Sequence, residues 1–420
     1  MFTTFKKLKN IVFSLLLFFT TNSYAITLEE AMDSAVLNNK NIKYQDYKLK
    51  ATEAQKGQAI AEFLPDVSAN IHYGNKNNEI SDGGQNFSNK EKVEEIKFEQ
   101  SLFSGFGSIS KYQGAKYDIK SVSAQKRDKK QEIAMLAAHS YCDLFLFKQI
   151  VELYEQNRIL AARINKMAHN RKNAKILDNA DFIKFNYETL EIEQKYFDAI
   201  SKFGQAKEEY RNIVGLDDVN LIEPKILSKD FNRGEVVQIA LSNNQQLKSS
   251  YYEYLSAKSA HNVEKSKFSP TLSVIASANR QSNVVYLDQR DLTTKSVYLN
   301  LSVPIFQRGV EYANVSKASH ERSAAKEEYE ITQDNVRKEV LKSLDEYNLA
   351  LEMAKSSKNL SNLAQERLSI YEKRAQKRLV DRIELLRAQI EYNERLVRKI
   401  EAEMKLVKSY YKIKYFLGEL

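Results

Sequence analysis

The chain repeats itself once, and that duplication limits its folds more than any other feature. Ala35, Asn38, Asn39, Ile42 and Lys43 return as Ala240, Asn243, Asn244, Leu247 and Lys248, an offset of 205 residues. The same offset carries Phe63-Leu64-Pro65 onto Phe268-Ser269-Pro270. Further along it settles at 203, pairing Phe103 with Phe306, Ala115 with Ala318 and Gly215 with Gly418. A copy this long exceeds the ~20–50 residues of a solenoid unit, so it describes one duplicated domain. Equivalent halves suit a wall of repeated staves, which moves the search for function from a cleft to an assembly.

Residues 1–25 stand apart. Lys6, Lys7 and Lys9 precede an apolar run from Ile11 to Phe19, and Ser23-Tyr24-Ala25 offers small residues for cleavage. That pattern is a cleaved signal peptide, its apolar run being too short to span a bilayer. The expected organisation is then a first repeat over 26–215 with a strand hairpin at 66–103, a linker over 216–232, and a second repeat over 233–420 with a hairpin at 271–304. Cys142 is the only cysteine, so export brings no intrachain disulfide, and its apolar neighbours suit a buried role. Twelve Gly and four Pro among 420 residues, with 28% charged, point to long helices that expose much of their surface.

Beyond the leader no stretch approaches ~18 apolar residues, so any membrane crossing must be made by strands. Pro65 and Pro270 each end a helix and push the preceding residue towards extended geometry. Val67, Ala69, Ile71 and Tyr73 then alternate with Ser68, Asn70 and His72. Ile96, Phe98 and Leu102 follow a polar loop expected from about Asn75 to Lys92. The second half matches with Leu272, Val274, Ala276 and Ala278, then Val297, Leu299, Leu301 and Val303. Period two gives one apolar and one polar face, as lipid outside and a lumen inside require. The same alternation would also serve hairpins lying on a soluble core.

Two hairpins supply four strands, and four cannot close a barrel. Lipid excludes open edges, because unpaired backbone groups there cost several kcal/mol each. The barrel must be shared: two chains give eight strands, largely filled by side chains, and three give twelve with room for a pore. Three is the reading preferred. Past each hairpin, apolar residues recur at helical spacing from about Ser108 to Asn170 and from about Val310 to Tyr371. About 60 residues span roughly 90 Å, and such rods survive by lateral coiled-coil packing. Returning helices follow over 182–214 and 383–417.

Leader, duplicated halves, paired strands and long antiparallel helices together make the chain similar to the TolC-like outer-membrane efflux and secretion channels. The local marks are Leu301-Ser302-Val303-Pro304-Ile305-Phe306-Gln307-Arg308-Gly309 and its partner Gln100-Ser101-Leu102-Phe103-Ser104-Gly105-Phe106-Gly107. The resemblance implies an α+β membrane protein, a homotrimer sharing a 12-stranded barrel in outer-membrane lipid. A coiled-coil tube of helices continues it through the periplasm. It also implies a channel subunit of a tripartite efflux or type I secretion system, working with a periplasmic adaptor and an inner-membrane transporter, without a cofactor. The docking tips would be Lys175, Ile176 and Leu177 with Arg378, Leu379 and Val380; Lys175 and Arg378 stand where the family usually has glycine. The periplasmic gate would be Asp181, Lys184, Glu384 and Arg387. The family's two acidic rings fall on Glu384 and Arg387, one kept and one reversed in charge, and three-residue spacing puts both on one helix face.

The five histidines show no metal-ligand spacing, and no nucleophile motif is present, so neither a metal site nor an enzyme is expected. Gly105-Phe106-Gly107 lacks a phosphate-loop context and is taken as junction flexibility. Tyr73, Phe87, Tyr286 and Tyr298 could form an interfacial aromatic belt. The rival class is an exported basic coiled-coil protein of the envelope without a pore. A net charge of +9 invites a nucleic-acid partner, but the leader and the interleaving of opposite charges argue against one.

Overall fold

A computed structural model describes residues 25–78, 87–216, 220–284 and 290–420. The expected leader lies outside these residues except for Ala25, as does Tyr286, and only the backbone of Phe87 is described. Each half runs short helix, helix, strand hairpin, long helix, returning helix. The first comprises β1 (Ala25–Ile26), α1 (Leu28–Asn38), α2 (Lys40–Ala61), β2 (Asp66–Asn78), β3 (Phe87–Ser104), α3 (Gly107–Asn173) and α4 (Asn179–Val214). The second comprises β4 (Asn220–Leu221), α5 (Arg233–Asn243), α6 (Gln245–Ser266), β5 (Thr271–Val284), β6 (Arg290–Ser302), α7 (Val310–Gln376) and α8 (Arg382–Leu417).

Local chemistry sets the boundaries. Thr27 and Glu30 form a capping box at the start of α1, satisfying donors that the first helical turn leaves free. Asn39 ends α1 in extended geometry and its side chain accepts the Asn41 N–H to start α2; Asn244 does the same between α5 and α6 through Leu247. The conserved spacing of 205 therefore marks a corner in each half. Gly215 and Gly418 close α4 and α8 in the left-handed conformation.

The four long strands form one antiparallel sheet in the order β2-β3-β5-β6, leaving β2 and β6 as open edges. Val67, Phe98, Ala276 and Val297 share one row across it, on the apolar face. Lys97, Ser277 and Ser296 share the next row, on the polar face. Val67, Ile71, Ile96, Val297 and Leu299 are exposed. Pairing runs from Asp66–Glu99 out to Asn78–Phe87, so the hairpin is longer than the loop expected from about Asn75 allows. There Asn75 to Asn78 of β2 are all polar, and backbone hydrogen bonding continues where side-chain alternation stops. Tyr73 lies on the apolar face and Tyr298, opposite Ile275 and Glu99, on the polar one, so they do not share a belt.

Two successive left-handed residues lead β3 and β6 into their long helices: Gly105 and Phe106 in one half, Arg308 and Gly309 in the other. A Cβ at Gly105 would meet Ser269 Cβ at 2.4 Å, so close packing explains this glycine, and the expected flexibility is replaced by a fixed turn. The long helices, 67 residues each, are held laterally. α3 packs on α4, α6 and along α8, whereas α4 and α7 share no comparable seam among the described residues. Buried Tyr141 sits between β1 and residues 220–222, its single hydroxyl hydrogen shared between Ile26 O at 2.6 Å and Ile222 O at 2.7 Å. Cys142 is buried beside it, and desolvation pushes its thiol up to about 12.

Candidate functional site

The end of the molecule remote from the sheet is built from two copies of one short motif. Arg171-Lys172-Asn173-Ala174-Lys175-Ile176-Leu177-Asp178 matches Arg374-Ala375-Gln376-Lys377-Arg378-Leu379-Val380-Asp381. Each long helix ends in a Schellman turn. Ile176 N–H donates to Arg171 O at 2.9 Å and Lys175 N–H to Lys172 O at 2.9 Å; Leu379 and Arg378 repeat this on Arg374 and Ala375. The turn needs a left-handed residue, and Lys175 (φ 56°) and Arg378 (φ 58°) supply it without being glycine. Asp178 and Asp381 then cap the returning helices by accepting from Asp181 N–H and Ile383 N–H.

The motif sets Ile176 and Leu379 at the apex, exposed, with Lys175 and Arg378 beside them. Leu177 is half-buried against a cluster that includes Ile164, Ala168, Phe185, Ile383 and Leu386, and Val380 is half-buried too. The ends of α3 and α8 are joined by a two-pronged ion pair: Arg171 Nη1 to Asp381 Oδ2 at 2.6 Å and Nη2 to Oδ1 at 2.7 Å. That guanidinium, helped by backbone N–H groups, holds the Asp381 carboxyl below its ordinary range. Asp381 in turn raises the Arg171 guanidinium.

Of the gate residues expected from sequence, the structure brings Glu384 and Arg387 within 3.8 Å. Arg387 has a tighter partner in Glu188, at 2.7 and 2.9 Å, and stacks over Phe185 with its centre 4.8 Å from the ring. Asp181 and Lys184 are exposed and make no ion pair with each other among the described residues. Sequence spacing could not reveal Glu188 or Arg171 as partners, because both contacts join helices some 200 residues apart. The duplicated Arg…Asp motif was the available signal. Deeper in the same seam, Asn393 donates to Asn157 Oδ1 at 2.8 Å between α8 and α3, both side chains buried. No cluster of His, Cys, Asp or Glu among the described residues could hold a metal ion.

Comparison with known proteins gives this arrangement its setting. Residues 236–419 match the family model described as outer membrane efflux protein. The outer membrane efflux protein BepC of Brucella suis is 21% identical over 255 residues; the match spans 58% of this chain and 54%, about half, of that relative. Among solved structures, the outer membrane protein VceC of Vibrio cholerae superposes with a TM-score of 0.77 at 13% identity, covering 93% of this chain and 96% of that one. The CmeC outer membrane channel of Campylobacter jejuni gives 0.76 at 14% identity, over 93% and 85%. Over residues 236–419 the chain is thus similar to the outer membrane efflux proteins, and as a whole it has the fold of these channels. The resemblance to the TolC-like channels and the α+β fold expected from the sequence are borne out.

Proposed function

We propose that this chain, sharing sequence pattern and fold with the TolC-like outer-membrane efflux channels, is one protomer of a passive outer-membrane channel. The carrying observation is the sheet: four strands, exposed apolar side chains on one face, polar ones on the other, and two open edges. An apolar sheet with unpaired edges is stable in lipid only when closed, and three copies close it with twelve strands around a pore. The repeats take up residues 26–215 and 233–420, joined by 216–232, after a leader over 1–25.

The tips face the periplasm, where Ile176 and Leu379, ringed by Lys175 and Arg378, offer an adaptor an apolar centre with a basic rim. Leu177 and Val380 support that surface from below. An inner-membrane transporter supplies cargo and energy, and the chain itself performs no chemistry. Asp181, Lys184, Glu384 and Arg387 narrow the closed end; acid–base pairing, seen in Arg387 with Glu188 and Glu384, supports such a gate over one of carboxylates alone. Purified protein in planar bilayers tests the whole reading: trimers that conduct ions are expected. A soluble, non-conducting monomer would return it to a pore-free envelope protein.

A further inference from the structure

The apolar face of the sheet carries a trough that its internal copy lacks. On that face β5 presents Ala276 and Ala278, set between Phe98 and Ile96 of β3 and Val297 and Lys295 of β6. Strands lie about 4.8 Å apart, so the two walls stand roughly 10 Å from each other with only methyl groups on the floor between them. The hollow lined by these residues has a volume of about 370 Å³. Lys295, opposite Ala278, marks its end farther from the helices.

The duplication supplies a comparison within the chain. The 205-residue offset puts Ile71 and Tyr73 where β5 has Ala276 and Ala278, and the 203-residue offset puts Lys92 and Glu94 where β6 has Lys295 and Val297. In the first half, then, large side chains stand at the floor positions and Lys92 has an ion-pair partner in Glu94. In the second half the floor is open, and exposed Lys295 has no ion pair or hydrogen bond among the described residues. Arg280, the next residue of β5 on this face beyond Ala278, is held by Asp291 at 2.7 Å. Lys295 is therefore the cation left without a counter-charge at the head of the trough.

We propose that this trough binds one anionic lipid of the outer leaflet, an acyl chain lying along Ala278 and Ala276 and its phosphate resting on the Lys295 ammonium. Six residues at ~3.3 Å each, tilted by ~40°, put Lys295 about 15 Å beyond Leu301, away from the helices. That is the outer part of a ~25 Å apolar belt, where a lysine keeps its stem on apolar surface and extends its ammonium to the headgroups. A charge beside lipid is costly without a partner, so the ammonium needs an anion, and the open trough needs an apolar chain. Only an amphiphile meets both needs. Free phosphate would reach Lys295 and leave the trough empty; a lipid without net negative charge would fill the trough and leave Lys295 uncompensated.

This rests on reading the apolar face as the lipid-facing wall of a channel, and the test separates the two. Detergent-purified protein is titrated with phosphatidylglycerol or with phosphatidylcholine of the same acyl chains, and bound lipid is counted by native mass spectrometry. One phosphatidylglycerol per chain is expected, held more tightly than phosphatidylcholine. Lys295→Gln should weaken phosphatidylglycerol about tenfold and leave phosphatidylcholine unchanged, whereas Lys92→Gln should alter neither. Ala276→Leu with Ala278→Leu fills the trough and should release the lipid although Lys295 remains. Inorganic phosphate in excess should not displace it. Displacement by phosphate, or lipid retained equally by the natural protein, Lys295→Gln and the double leucine variant, in a trimer that conducts would overturn the site and leave the channel reading standing. A soluble monomer that holds no lipid would overturn both.

Discussion

Lys175 and Arg378 hold the left-handed conformation that each tip turn requires, and a side chain there costs about 1–2 kcal/mol. Lys175→Gly and Arg378→Gly remove that strain but add freedom to the unfolded chain, so each is expected to stabilise by about 1 kcal/mol or less. A thermal midpoint that falls instead would mean the side chains earn their place through contacts. Arg171–Asp381 has a different signature. Because the Asp381 carboxyl is held below its usual value, the pair contributes fully above about pH 4 and is lost as pH falls through the lowered value. Asp381→Asn should therefore show at pH 7 the reduced protection of tip amides that the natural protein shows only in acid; tip protection in the variant equal to that of the natural protein at pH 7 would leave the pair without a role in the tip. At the gate, Arg387→Ala uncovers Glu188 as well as Glu384 and should raise closed-state conductance more than Glu384→Ala. Unchanged conductance in both variants would end the proposal of an acid–base gate.

At the scale of elements, legibility followed side-chain chemistry. The paired prolines, the alternation up to Tyr73 and the helical spacing of the rods were plain in the sequence, because each reports burial or a backbone veto. The outer part of the hairpin was not, since Asn75 to Asn78 are polar and only main-chain pairing continues there. Nor could the glycines at 105 and 309 be told from flexible linkers without the approach of Ser269 to the first. Asn157 and Asn393, polar residues on two long helices, carry no sequence sign that the fold buries them together. Asn157→Leu strands the Asn393 amide and is expected to cost about 1–3 kcal/mol, while adding Asn393→Leu should recover most of it, since leucines already fill the counterpart positions 190 and 360. Denaturant melts of the two variants decide this: equal destabilisation would mean that the cost is lost shape, not an unpaired amide.

On the scale of the molecule, the open edges and the rod lengths together specify a measurable particle. Helices of 67 residues, at about 1.5 Å per residue, extend about 100 Å. Strands of 13 residues at ~3.3 Å each, tilted by ~40°, add about 33 Å of barrel. Single-particle images of the detergent-purified protein should therefore show a three-fold object about 130 Å long with one wide, short end and one tapering end. Number and length are independent outcomes. Eight strands from two chains would leave a barrel largely filled by side chains, so a two-fold particle should conduct poorly if at all. A three-fold particle of the stated length that conducts would join the duplicated sequence, the open edges and the exposed apolar residues along α4 and α7, such as Leu190 and Leu360, in one assembly. A compact particle, of any symmetry, would show that the long helices fold back in solution and that the exposed stripes on α4 and α7 are covered within a single chain.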